Sequence, residues 1–287
     1  MNPGLHLGAW RCAIVGALLA FGSVPAAPAP AVTQQDIDWC NGKNATPDVQ
    51  INGCTTAIQS GKLSGNNLAM AYHSRGLGHA KRGDDADAMA DFDEAIRLDP
   101  QSALPYNDRG FTYARKGFLD RALADLNEAI RLDPKYALAY RNRGFAHYLR
   151  HDYDPAIADY NAALGLNPND VTAYNDRGNI YQAKGDLDRA IADFDHAIQI
   201  NPGFAVAYSN RCHADDDKHD YDRALADCSE AIRLAPNFAL AFVNRGLAYH
   251  GKGDEARSEA DYDEAFRLNP ALAASVKRPW RDGLRQG

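Results

Sequence analysis

From Ala69 to Pro270 the chain alternates between two kinds of amphipathic run, and the alternation repeats. The proline closing each cycle falls at Pro100, Pro134, Pro168, Pro202, Pro236 and Pro270, always 34 residues after the last. The stretch Tyr174 to Pro202, YNDRGNIYQAKGDLDRAIADFDHAIQINP, shows the grammar of one cycle. Its first run has apolar residues three and four apart, which is one helix face. Gly185-Asp186 then breaks the run: glycine supplies a left-handed turn and aspartate can cap the next helix. The second run, DRAIADFDHAIQI, is again amphipathic and stops at Asn201-Pro202. Each cycle therefore predicts an antiparallel helix hairpin. The units are 69–102, 103–136, 137–170, 171–204, 205–238 and 239–272. A lone hairpin cannot bury its apolar stripe, so neighbours must stack into one elongated array.

Small residues recur where the two helices of a hairpin must touch. They are Gly76, Gly110, Gly144, Gly178 and Gly246 in the first helix, and Ala88, Ala122, Ala156, Ala190 and Ala224 in the second. A further alanine row runs through Ala95, Ala129, Ala163, Ala197, Ala231 and Ala265. Large residues fill the space between, with Tyr72, Tyr106, Tyr140, Tyr174, Tyr208 and Phe242 set against Phe92, Leu126, Tyr160, Phe194 and Tyr262. An aromatic fourth residue, a small eighth, alanines at twenty and twenty-seven, an aromatic twenty-fourth and proline at thirty-two resemble the tetratricopeptide repeat family. The resemblance implies an all-α fold, an α-solenoid wound as a right-handed superhelix of antiparallel helix hairpins. It also implies a concave groove lined by the first helices, and a scaffold that binds a protein or peptide rather than a catalyst.

One departure from that family's pattern is systematic. The seventh residue, leucine in the family, is arginine in all six units: Arg75, Arg109, Arg143, Arg177, Arg211 and Arg245. The twenty-third is always aspartate: Asp91, Asp125, Asp159, Asp193, Asp227 and Asp261. Both adjoin core positions on facing helices, so a ladder of Arg–Asp pairs is expected, within a unit or between neighbours, in a geometry that favours Arg over Lys. The alternative is a set of solvated surface charges.

Composition narrows the functional classes. Of 287 residues 24% are charged, and the net charge of −7 argues against binding nucleic acid or an anionic membrane. Residues 1–31 read as a secretory signal: Arg11 closes a short basic region, Cys12 to Val24 is an apolar run too short to span a bilayer, and Ala29-Pro30-Ala31 offers a cleavage site. The mature chain is then expected to be secreted or periplasmic and not membrane-spanning; an uncleaved anchor is the alternative. In an oxidising compartment the remaining cysteines, Cys40, Cys54, Cys212 and Cys228, suggest two disulfides. Cys212 and Cys228 replace the small eighth and aromatic twenty-fourth residues of the fifth unit, which lie equally far from the hairpin turn. Residues 32–68 read as a degenerate capping hairpin, with Cys40 and Cys54 at matching heights on either side of its turn. Packed thiols are the alternative at Cys212 and Cys228, and Cys40 and Cys54, with no histidine between them, make a poor zinc site. Residues 271–287 are expected to supply a closing helix, ALAASVKR, and a tail in which Lys277, Arg278, Arg281 and Arg285 form a polar outer cap.

Binding should be sought where the units differ. On the first helices the second, fifth, ninth, twelfth and thirteenth residues are expected to face the groove. Leu77, Phe111, Phe145 and Tyr148 are candidate apolar and aromatic anchors, with Arg115 and Arg141 as cations. Asn107, Asn175 and Asn179 are placed there as amides able to bond a partner's main chain. The family's carboxylate clamp is not expected, since no unit has lysine at the fifth position. No catalytic pair, phosphate loop or established metal motif occurs, so neither an enzyme nor a cofactor is expected. The polar run His213 to Asp220 in the fifth unit leaves a small-ligand or metal site there as the alternative reading.

Overall fold

The computed structural model describes residues 32–276 and Arg278. These form fifteen α-helices and no strand. An opening pair, α1 (Gln34–Cys40) and α2 (Pro47–Gln59), precedes six longer pairs. These are α3 (Gly65–Arg82) with α4 (Asp85–Leu98), α5 (Ala103–Arg115) with α6 (Leu119–Leu132), and α7 (Ala137–Leu149) with α8 (Tyr153–Leu166). They continue as α9 (Val171–Ala183) with α10 (Leu187–Ile200), α11 (Ala205–Asp217) with α12 (Tyr221–Leu234), and α13 (Ala239–Gly251) with α14 (Glu255–Leu268). A single turn, α15 (Leu272–Ser275), follows. Packing is densest within each of the six longer pairs, then between a second helix and the next first helix, and lighter between successive first helices. That order of neighbours is an α-solenoid.

Its core is a row of small-against-large contacts. Phe92, Leu126, Tyr160, Phe194 and Tyr262 are fully buried beneath the glycines of their partner helices. A Cβ on Gly178 would stand 2.6 Å from Phe194 Cε1, so only glycine fits at that approach. Between the two helices of a unit the chain passes through left-handed backbone. Glycine serves at Gly83, Gly117, Gly185 and Gly253, whereas His151 and His219 hold φ of 64° in the other two turns. The aspartate after the turn caps the second helix at Asp186, Asp220 and Asp254. Asp84 and Asp152 make no such cap; their carboxylates pair with the Nε of Arg82 and of Arg150.

The arginine and aspartate columns meet inside each unit. Nε and Nη2 of Arg75, Arg109, Arg143, Arg177, Arg211 and Arg245 donate to both oxygens of the aspartate sixteen residues on, at 2.6–2.9 Å. At most 22% of any arginine and 13% of any aspartate side chain in these pairs is exposed, so they are not solvated surface charges. The remaining fork nitrogen reaches backwards. Nη1 of Arg109, Arg143, Arg177 and Arg211 donates to Asp93, Asn127, Asn161 and Asp195 on the preceding second helix, at 2.5–2.7 Å. Arg75 reaches Thr55 on α2 in the same way, at 3.3 Å. Each guanidinium also lies 5.3–5.8 Å from the ring centroid of its unit's fourth residue.

The ends and the fifth unit depart from this scheme. Cys40 is bonded to Cys54 across the opening pair, and Cys212 to Cys228 across α11 and α12. The second bridge replaces the glycine-on-ring contact of the other units. Asp215, where most units carry an aromatic eleventh residue, is buried with its Oδ2 lacking a hydrogen bond; Arg223 Nε stands 3.8 Å away. Burial pushes its carboxyl up to about 6. The closing helix is shorter than its sequence suggests. It ends at Ser275, where Val276 turns extended, and Arg278 lies beyond it. Its guanidinium folds back over Phe266, 5.1 Å from the ring centroid, and pairs with Glu259 and Asp263 on α14. The export signal read in residues 1–31, and the tail residues Lys277, Arg281 and Arg285, lie outside the described residues.

Three outcomes follow for stability. Arg177→Ala and Asp193→Ala each lower the urea-unfolding free energy by about 3 kcal/mol, since each strands a buried charge; the double variant costs less than their sum, and Arg177→Lys restores only part because an ammonium cannot close both contacts. Removing the second bridge as Cys212→Ala/Cys228→Ala lowers stability by roughly 3 kcal/mol on the chain-entropy account, read from the same titration under oxidising conditions. For Asp215 the folded-state pKa near 6 lies above its ordinary 3.8, so the folded chain holds the proton more tightly. Stability therefore falls as pH rises from about 4 to about 6 and is level above that. Asp215→Leu removes this fall and raises Tm at neutral pH, measured as the difference between variant and parent across that range.

Candidate functional site

The first helices carry two sets of non-core residues, and the structure separates them. The fifth and sixth positions belong to the seam between successive first helices. Asn142 Nδ2 donates to Asn107 Oδ1 at 2.9 Å, Asn210 Nδ2 to Asn175 Oδ1 at 2.8 Å, and Asn244 Nδ2 to Ser209 Oγ at 3.0 Å. In the first seam His73 Nε2 and Asp108 Oδ2 take the same places, 2.7 Å apart. Asn107 is fully buried and Asn175 nearly so, and their own amide nitrogens are spent on Asp108 and Asp176. These two asparagines are thus not groove residues, contrary to the sequence expectation. They tie one unit to the next.

The ninth and thirteenth positions do open on the concave side. Leu77 and Lys81 of α3, Phe111 and Arg115 of α5, and Leu138 and Arg141 of α7 line one cavity of about 330 Å³. Phe92, Asp108 and Thr112 close its floor and sides. Four of the expected binding residues, Leu77, Phe111, Arg115 and Arg141, therefore converge. Phe145 adjoins them, its ring centroid 6.0 Å from that of Phe111. Tyr148 and Asn179 lie outside the cavity lining; Tyr148 leans on Tyr153 and on the Ala156–Tyr160 cluster. Asp108 is the charged lining residue that periodicity missed. It sits at a sixth position, and only its pairing with His73, 35 residues earlier, shows why it faces the groove.

The walls are apolar and the rim is charged. Arg141 bonds Asp170 through Nη1 alone, at 3.1 and 3.2 Å to the two oxygens. Behind it Asp176 is held up to about 6, chiefly by burial, with Asn175 and Arg141 opposing the shift. Lys81 Nζ rests on the neutral Oε1 of Gln50 at 3.3 Å. Arg115 stands 3.6 Å from Asp85, which is nearer to Lys116 at 3.2 Å.

The fifth unit does not assemble a ligand set. Asp215 is buried, His219 Nδ1 is taken up by the Tyr221 hydroxyl at 3.0 Å, and His213 is 3.9 Å from Asp217. Among the described residues the group whose candidate ligand atoms approach within 4.8 Å is His79, Asp84 and Asp87 of the first unit, where Arg82 already pairs with Asp84. No described helix is long and apolar enough to cross a membrane.

Comparison with known proteins agrees with this architecture. A tetratricopeptide repeat model matches residues 145–216, a TPR repeat model matches 76–117 and 115–150, and a further tetratricopeptide repeat model matches 239–272. No curated protein matches the chain. Among solved structures, a tetratricopeptide repeat protein from Parabacteroides merdae is 18% identical over 83% of this chain and 94% of its own, with a TM-score of 0.62. The pilF product of Pseudomonas aeruginosa is 18% identical over 71% of this chain and 94% of its own, with a TM-score of 0.63. YrrB, described as a TPR protein with an unusual peptide-binding site, is 23% identical over 64% of this chain and 97% of its own, with a TM-score of 0.50. These likenesses are likenesses of fold. The family models together take in more than half of the sequence, and the chain belongs to the tetratricopeptide repeat family.

Proposed function

We propose that this protein is an exported interaction scaffold that binds a protein or peptide segment along its concave face. The observation carrying the proposal is the cavity to which α3, α5 and α7 each contribute residues, since a site spread over three stacked units suits an extended chain better than a compact metabolite. Its apolar walls supply buried area, and its cations fix orientation. YrrB, a relative in fold, is described as having a peptide-binding site, which is consistent with the same use of the array here. No nucleophile–base pair lines this cavity, and we infer a binding protein rather than an enzyme. We assign units 69–102 through 239–272 to the binding array and residues 32–68 to its cap. Export is supported by the sequence of residues 1–31 and by two disulfides, which persist in oxidising compartments.

Two measurements test this reading. A photo-crosslinking residue placed at Phe145 should give discrete adducts with envelope or secreted proteins, and the same residue at exposed Ala192 on α10 should give none. Adducts of equal yield and identity at both positions would remove the groove assignment. Mass spectrometry of the native protein should find a mature N-terminus close to Ala31 and all four remaining cysteines oxidised. An intact Met1 with free thiols would remove the export assignment.

A further inference from the structure

The groove changes sign along its length, and this bears on what it binds. The chain as a whole is acidic, with 38 carboxylates against 31 lysines and arginines. The cavity of the first three units runs against that balance: Lys81, Arg115 and Arg141 are on its lining and Asp108 is the one carboxylate there. Asp108 is also the lining group most fully engaged, with Oδ2 on His73 and Oδ1 on Asn107. The cations are held more loosely. Lys81 has a neutral partner, Arg115 stands beyond hydrogen-bond distance from Asp85, and Arg141 uses a single nitrogen where the core arginines use two or three. Farther along, the last turn of α11 carries the half-buried Asp216 and the exposed Asp217, which accepts from Gln182 of α9, while Asp215 beside them is buried in the core.

Resting on the groove reading above, we infer that the partner segment is acidic and aromatic. One large apolar side chain seats against Leu77, Phe111 and Leu138, and carboxylates of the same segment pair with Lys81, Arg115 and Arg141. A cavity of about 330 Å³ is at the lower end of ligand clefts, room for one such side chain with its neighbours at the rim. The acidic end of α11 repels the same segment and keeps it at the first three units. Charge complementarity of this kind sets register and encounter rate more than bulk affinity.

The test uses two fluorescein-labelled peptides with blocked ends, each holding one phenylalanine, flanked on both sides by glutamates in one and by lysines in the other. Anisotropy with the full chain should show the glutamate peptide binding at least about tenfold more tightly, with the difference shrinking as salt rises. The double variant Lys81→Glu/Arg115→Glu, both positions exposed and outside the core pairs, should reverse the preference, and Phe111→Ala should weaken both peptides. Equal binding, a preference for lysine, no binding of either peptide, or a preference unmoved by charge reversal would overturn the inference. So would loss of the salt dependence in the unmodified chain, a readout that needs no variant to fold. If the Phe145 crosslinks persist alongside any of these results, the groove reading stands and only the charge assignment falls.

Discussion

A guanidinium is planar and carries its donors in a fixed fork, so two nitrogens can close on one carboxylate while the third points away from it. In this solenoid that geometry is repeated at the seventh position of every unit. Nε and Nη2 fix the rotation of the first helix against its own second helix, and in the first five units Nη1 fixes both against the second helix before them. A leucine at the seventh position, as in the family pattern, would contribute burial without direction. An ion pair this far from water is not a strong net source of stability, because desolvation offsets most of the attraction. Its effect is on register: a slipped neighbour leaves a charge unpaired in the interior, which is far costlier than a slipped methyl group. The same seam is tied again near the hairpin turns, where Lys184, Lys218 and Lys252 pair with Asp154, Asp188 and Asp222 of the unit before.

The fifth unit shows what happens when part of the packing scheme is given up. Its glycine and aromatic are replaced together by Cys212 and Cys228, and Asp215 lies in the space of the eleventh residue. A buried carboxylate without a hydrogen-bond partner works against the folded state, and the covalent link acts in the opposite sense by restricting the unfolded chain. The arginine column nevertheless continues unbroken through Arg211 and Asp227. The element preserved in every unit is therefore the one that sets helix orientation, while the element filling the core between helices is exchangeable.

Much of this was legible in the sequence, for a reason of scale. The hairpins, their turns and the Arg–Asp pairing each depend on residues no more than one unit apart, and periodicity exposes such relations directly. The seam between units is harder to read. Asn107 and Asn175 occupy a face that a single helix presents to the groove, and only the superposition of the next first helix, with Asn142 and Asn210, buries them. The signal was present as polar fifth residues matched by Asn or Asp 35 positions later. It spans two units, so a reading of one unit at a time passes over it. The pairing of Asp84 with Arg82 and of Asp152 with Arg150 was hidden similarly, since each arginine precedes the turn and meets its aspartate only once the turn has formed. The seat of Arg278 was not legible, because its partners Glu259 and Asp263 belong to the hairpin before it.

These distinctions decide how the groove can vary. Fifth and sixth residues answer to each other across a seam, so a change at one must be matched at the other, and they are poor places to encode a partner. Ninth and thirteenth residues are bound less tightly: Lys81 meets Gln50 of α2 at 3.3 Å, and Arg115 stands 3.6 Å from Asp85 of α4. Leu77, Phe111, Lys81 and Arg115 can differ from unit to unit without disturbing helix orientation, which the arginine fork sets from the opposite side of the same helices. Arg141 is the informative exception. It stands at a fifth position yet lines the cavity, because Asp170 draws its long side chain past the seam while Asp176 takes the sixth position beyond it. At that one junction a group that holds two units together is also exposed to whatever lies in the trough. An occupant pairing with Arg141 would compete with Asp170, the N-cap of α9, so engagement of the groove and the seating of α9 against α7 are coupled there.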